Sequence, residues 1–89
     1  MAVYIIRQAF RNYDCFIGTN NATAYHLEEM RTSDCYKSLL QAGRTLGRLV
    51  RFGVVAKYTV LEISNGEITK EYSVSDFVFD DRGYCHGIN

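Results

Sequence analysis

The chain has 89 residues, 47% of them hydrophobic and 22% charged, with ten basic residues balancing ten acidic ones. That length allows one domain, 1–89, with a core of limited size, and the composition excludes a disordered chain. Zero net charge argues against a generally basic nucleic-acid binder, while seven Tyr and five Phe leave aromatic surface to spare, as expected of a chain that self-associates or meets a partner.

Proline is absent, which excludes a Pro-rich ligand motif or rigid linker. The start MAVYIIRQ carries Arg7 where a leader would be apolar, and no small-residue cleavage site follows, so no signal peptide is expected. No apolar run reaches the roughly 18 residues of a membrane span. The expected location is therefore cytoplasmic, and the Asn21-Ala22-Thr23 sequon is attributed to chance. Cys15, Cys35 and Cys85 are odd in number and widely spaced, which reads as reduced thiols rather than a disulfide framework.

In chain order, Ala2 to Phe10 is β-branched and aromatic, apolar on both faces in its first half, and reads as a central strand. Arg11 to Asp14 reads as a turn, and Cys15 to Ile17 as a short return strand ending at Gly18. Asn21 is suited to cap a short helix from Ala22 to Met30. The alternation of Thr23, Tyr25 and Leu27 offers a strand over Thr23 to Leu27 instead.

The most definite element is Asp34 to Phe52, DCYKSLLQAGRTLGRLVRF. At 100° per residue its apolar arc holds Tyr36, Leu39, Leu40, Ala42, Gly43, Leu46, Gly47, Leu49 and Val50, opposite Lys37, Gln41, Arg44, Arg48 and Arg51. This is an amphipathic helix about 28 Å long, capped by Thr32 or Ser33, with Asp34 at its positive end. Gly43 and Gly47 each cost about 1 kcal/mol relative to Ala, so something is expected to approach the helix backbone there. The domain's own sheet is one candidate and a helix of a second subunit the other, which makes both glycines candidate oligomer-interface residues. Gly53 is suited to end the helix.

Two strands then flank Asn65-Gly66, a strong hairpin signal: Val54 to Ser64 and Glu67 to Val74. Uninterrupted alternation places Leu61, Ile63, Ile68, Tyr72 and Val74 on the face beneath the helix. Tyr58, Val60, Glu62, Thr69, Glu71 and Ser73 then form the outer face, where Tyr58 and Val60 make a candidate partner surface. Phe77 to Phe79 is a last apolar patch, and Asp80 to Asn89 a tail rich in turn residues. The expected fold is α+β: a small antiparallel sheet of about four strands, in the order β-β-(α)-α-β-β, with one long helix packed across one face.

Charge is segregated. Residues 31–51 carry five basic side chains and one acidic, residues 52–81 two basic and six acidic. Lys37, Arg44, Arg48 and Arg51 lack acidic partners along their own helix, Asp34 near Lys37 excepted. They are solvated cations, partners of carboxylates elsewhere, or a binding face for a protein or an anionic ligand. No phosphate-cradling loop occurs, since GRTLG is a glycine pair in a helical pattern. His26 and His86 belong to no metal spacing, and Cys85-His86 combined with His26 and another cysteine is a weak zinc candidate. Cys35, beside the expected helix start, is a candidate nucleophile but reads better as a small buried hydrophobe. The expected function is a non-enzymatic protein-interaction module, a regulator or inhibitor acting as a homodimer on a protein partner, without cofactor or metal. The alternative is an anion binder, for nucleotide or nucleic acid, using the same basic face.

Overall fold

The computed structural model describes residues 1–52 and 56–89. Its strands are β1 (Val3–Ala9), β2 (Asp14–Ile17), β3 (Thr23–Ala24), β4 (Lys57–Ser64), β5 (Glu67–Ser73), β6 (Phe77–Phe79) and β7 (Cys85–Ile88), and its α-helix is α1 (Leu39–Arg51). Among the described residues the fold is α+β, with one antiparallel sheet ordered β3-β2-β1-β4-β5 and a second, two-stranded sheet of β6 and β7. The β1–β2 hairpin forms as expected, with Ala9 opposite Asp14 and Ile6 opposite Ile17, but Asp14 belongs to β2 and not to the turn expected over Arg11 to Asp14. β1 lies at the centre of the sheet between β2 and β4, as its two-sided apolar character requires.

The helix is shorter than the amphipathic pattern implies, and it starts at Leu39 rather than Asp34. The cause is upstream. Tyr36 exchanges two backbone hydrogen bonds with Tyr4, N–H to O at 2.8 and 2.7 Å, which holds it extended beside β1 where β2 has already turned away. Thr32–Asp34 forms a separate 3-10 turn, with Asp34 accepting from the Arg31 N–H at 3.2 Å. The cap is therefore Ser38, whose Oγ accepts from the Gln41 N–H at 3.2 Å, in place of Thr32 or Ser33. Gly53, and with it the expected helix stop, lies outside the described residues, as do Val54 and Val55 at the expected start of the next strand.

The expected short helix over 22–30 is replaced by β3 on the edge of β2 and a 3-10 turn at Leu27–Glu29. Asn21 adopts φ 62°, so it is a left-handed turn residue and not a cap. The Asn65-Gly66 turn forms with both residues left-handed, φ 53° and 78°, as a two-residue hairpin demands. Its register holds from Ser64–Glu67 to Ile63–Ile68 and then slips, so that Glu62 faces Lys70 and Val60 faces Tyr72. Thr69 is the extra residue of a bulge, anchored by its hydroxyl to Glu62 Oε1 at 2.9 Å.

That slip and a second covering layer correct the face assignment. α1 packs on the face bearing Ile6, Tyr58, Val60 and Tyr72, where Tyr36, Ala42, Leu46, Phe77 and Cys85 complete the core. Val60 is wholly buried and Tyr58 nearly so, which removes both as an exposed partner surface. Ile5, Phe16 and Leu61 point the other way into a smaller core roofed by Leu27, Met30 and Cys35. The sheet is thus buried on both sides: α1 covers one face, and the irregular segment after β3 covers part of the other. The tail also has structure, since β7 pairs with β6, Phe77 opposite Ile88.

Candidate functional site

Gly43 and Gly47 explain how α1 is held. An added Cβ would sit 2.7 Å from Cys85 Sγ at Gly43, and 2.2 Å from the Gly83 carbonyl oxygen at Gly47. The β6–β7 hairpin therefore lies directly on the helix backbone. The close approach is intramolecular, so the glycines are accounted for within one chain and no longer argue for a homodimer.

With one flank of α1 on the sheet and another under the hairpin, the remaining arc carries Gln41, Arg44, Thr45, Arg48 and Arg51. Arg44 places its guanidinium carbon 5.1 Å from the ring centroid of Tyr84, a geometry in which the cation meets the ring's negative face. Arg48 donates to Thr45 Oγ1 at 3.4 Å, and Arg51 donates to the Arg82 carbonyl at 2.8 Å. Lys37 is exposed, immediately before the helix cap Ser38. None of the four forms an ion pair: among the described residues the pairs are Arg7–Glu71 at 2.7 Å and His86–Asp80 at 3.0 Å. The acidic C-terminal hairpin does not neutralise the stripe.

Arg44 and Arg48 form a ridge between two clefts. On one side Arg44, Arg48, Arg51 and Arg82 surround a space of about 510 Å³ with Asp80 and Tyr84. On the other, Arg44 and Arg48 face Asn20, Asn21, Gln41 and Phe52 across a space of about 740 Å³. The larger volume is that of a small-molecule pocket, but its polar lining is exposed and Phe52 is 80% accessible. Such a cleft cannot enclose most of a small ligand's surface. It presents cations and rings outward.

Arg82, Tyr84, Phe52 and Asn20 were not legible as site residues. Arg82 and Tyr84 sit in the apparent tail, and the signal that could have placed them is the Gly83 turn between two apolar stretches. That turn is well built: the Asp80 carboxylate accepts from the Arg82 and Tyr84 N–H groups, each at 2.9 Å, and its other oxygen meets His86 Nε2. These bonds, the Tyr84 amide first and then His86, hold the Asp80 carboxyl below the ordinary carboxylate range.

The thiol reading fails on geometry. Cys35 is buried and precedes the helix by several residues, outside the reach of its positive end. Burial, and then the Asp34 carboxylate, push its thiol up rather than down, and its Sγ is turned to the Arg31 carbonyl at 3.4 Å. All three cysteines are free. Among the described residues no three His, Cys, Asp or Glu side chains gather as a metal site would require, the Cys85–His86 combination included. No helix there is long and apolar enough to cross a membrane. The chain matches no known protein-family model, no curated protein and no solved structure.

Proposed function

We propose that the protein is a non-enzymatic binding module whose contact surface is the exposed face of α1 together with the β6–β7 turn, and that its partner is a protein presenting an acidic patch. One observation carries this reading: Arg44, Arg48, Arg51 and Arg82 converge from two elements on one surface, without a carboxylate partner among the described residues, beside the exposed rings of Tyr84 and Phe52. Arg and aromatic side chains dominate the energetics of protein interfaces. Arginines left unpaired by their own fold keep their hydrogen-bonding forks for carboxylates elsewhere.

A second reading, single-stranded nucleic acid, draws on the same rings as stacking platforms. The zero net charge of the chain weighs against it, because nucleic-acid affinity rests mainly on neutralising phosphates. Affinity capture from nuclease-treated extract, comparing the wild-type chain with Arg44→Glu/Arg48→Glu, separates the alternatives. The proposal expects at least one protein retained by the wild type and lost by the variant. Identical capture by both chains would refute it, and ligands that disappear with nuclease and show a steep salt dependence would favour nucleic acid.

A further inference from the structure

The face of the sheet opposite α1 is only partly roofed. Beyond the roof runs a groove lined by Tyr13, Asp14, Phe16, Tyr25, Glu28 and Ile68, among others. Phe16 is buried, whereas Tyr13, Tyr25 and Ile68 are about half exposed or more. Tyr13 stacks on Phe10 with centroids 4.9 Å apart, and the Tyr13 and Tyr25 rings meet edge to face at 5.8 Å with 69° between the planes. The two tyrosines thus form an aromatic corner on the protein's surface, built by the β1–β2 turn and the segment after β3.

The charge around this corner is one-sided. No Lys or Arg lines the groove, His26 being the one basic side chain on its wall, and Arg11, on the same turn, is not part of the lining. Glu29, Asp34 and Glu71 are already occupied: Glu29 accepts from the His26 N–H, Asp34 from the Arg31 N–H, and Glu71 holds Arg7. Asp14 and Glu28 are the acids that line the groove, and among the described residues their carboxylates have neither a hydrogen bond nor an ion pair. Two half-exposed tyrosine rings, inclined at 69°, beside two uncommitted carboxylates have the chemistry of a cation receptor, since an open ring face and the carboxylates attract the same charge. Phe16 and Ile68 supply apolar contact for the aliphatic stem that carries such a cation.

We infer that this groove is a second binding surface, which takes a cationic segment of a partner protein by lodging an arginine or lysine side chain against Tyr13 and Tyr25 within reach of Asp14 and Glu28. It lies on the opposite side of the sheet from the arginine face and of opposite sign, so the module has two poles that select differently charged ligands. The test is an NMR titration of the isotope-labelled full chain with a short blocked peptide alternating leucine and arginine, and with its counterpart carrying glutamate in place of arginine.

The arginine peptide is expected to shift the amides of residues 12–14 and 25–28, and the glutamate peptide to leave them in place. Asp14→Asn/Glu28→Gln should weaken the response about two- to tenfold, the size of two solvent-exposed charge contacts. Glu28→Gln alone, at an exposed turn residue, should weaken it in the same direction if the double variant proves unstable. Arg44→Glu/Arg48→Glu should leave it unchanged, which keeps this surface distinguishable from the first. Equal shifts with both peptides, shifts confined to α1, or no response at millimolar peptide would overturn the inference. Groove shifts that grow with protein concentration before any peptide is added would also overturn it, by making the occupant a second copy.

Discussion

Replacing Gly47 with Ala sets two opposed effects against each other. Alanine favours the helix by about 1 kcal/mol over glycine. Its Cβ, however, would meet the Gly83 carbonyl oxygen at 2.2 Å and Phe79 Cε1 at 3.0 Å. Non-bonded heavy atoms settle near 3.5 Å, so the β6–β7 turn must withdraw by roughly 1 Å. The obstacle is backbone, pinned by the Arg51–Arg82 hydrogen bond and by the Asp80 turn, and cannot rotate aside as a side-chain tip would. Overpacking of this kind costs about 1–3 kcal/mol, and the upper part of that range applies here. The net loss should be about 1–2 kcal/mol. With a urea dependence near 1 kcal/mol per molar for so small a domain, the unfolding midpoint followed by circular dichroism should fall by about 1–2 M. Gly43→Ala should lose less, because it meets the Cys85 sulfur and the Phe77 ring, which have some freedom to give. A Gly47→Ala midpoint at or above wild type would refute the reasoning, and would reopen the glycine face to an intersubunit role.

Four further outcomes follow from the same geometry. Thr59 is buried and its hydroxyl has no hydrogen-bond partner; Thr59→Val should raise stability by about 1 kcal/mol, read as a higher urea midpoint at unchanged slope. Leu46→Ala empties a fully buried site between α1 and the sheet and should cost about 2–5 kcal/mol, enough to leave much of a small domain unfolded at ambient temperature. Ser38→Ala removes the helix cap and should cost about 1 kcal/mol, with faster amide exchange at Gln41. Asp80 has its folded pKa below the unfolded value, first through the Tyr84 amide and then through His86. The turn's support is therefore present above the ordinary carboxylate range and is lost as pH falls through the depressed folded value. The Arg82 and Tyr84 amide signals should report that transition on acidification, and Asp80→Asn should abolish it.

Elements governed by local chemistry were legible in the sequence, and elements governed by distant contacts were not. Asn65-Gly66 announced its hairpin because few other residue pairs accept two consecutive left-handed conformations. The run Val3 to Ile6, apolar at both parities, announced a strand buried on both sides. The same evidence stood in β4, where Tyr58 and Val60 alternate with Leu61 and Ile63, but only one covered face was anticipated. Alternation cannot say which face receives the helix, and the bulge at Thr69 reversed the parity of Tyr72 relative to Ile68. The helix start was obscured because Tyr36 fits the apolar arc, yet its backbone is drawn into pairing with Tyr4, thirty-two positions earlier in the chain. Of the site, the arginine face of α1 was readable from period alone. The Arg82–Tyr84 contribution was not, since it depends on a turn folding back onto Gly47. The Tyr13–Tyr25 corner depends on β3 pairing where a helix was expected.

Hydrogen–deuterium exchange of the chain in the presence of a captured acidic protein partner bears most directly on the claim that the arginine face is the docking surface. Slowed exchange over residues 39–51 and 79–86, with residues 10–16 and 25–28 unaffected and the effect lost in Arg44→Glu/Arg48→Glu, is the outcome expected. Protection that falls elsewhere, or that survives the charge reversal, would show that the convergence of Arg44, Arg48, Arg51 and Arg82 is not where the partner binds.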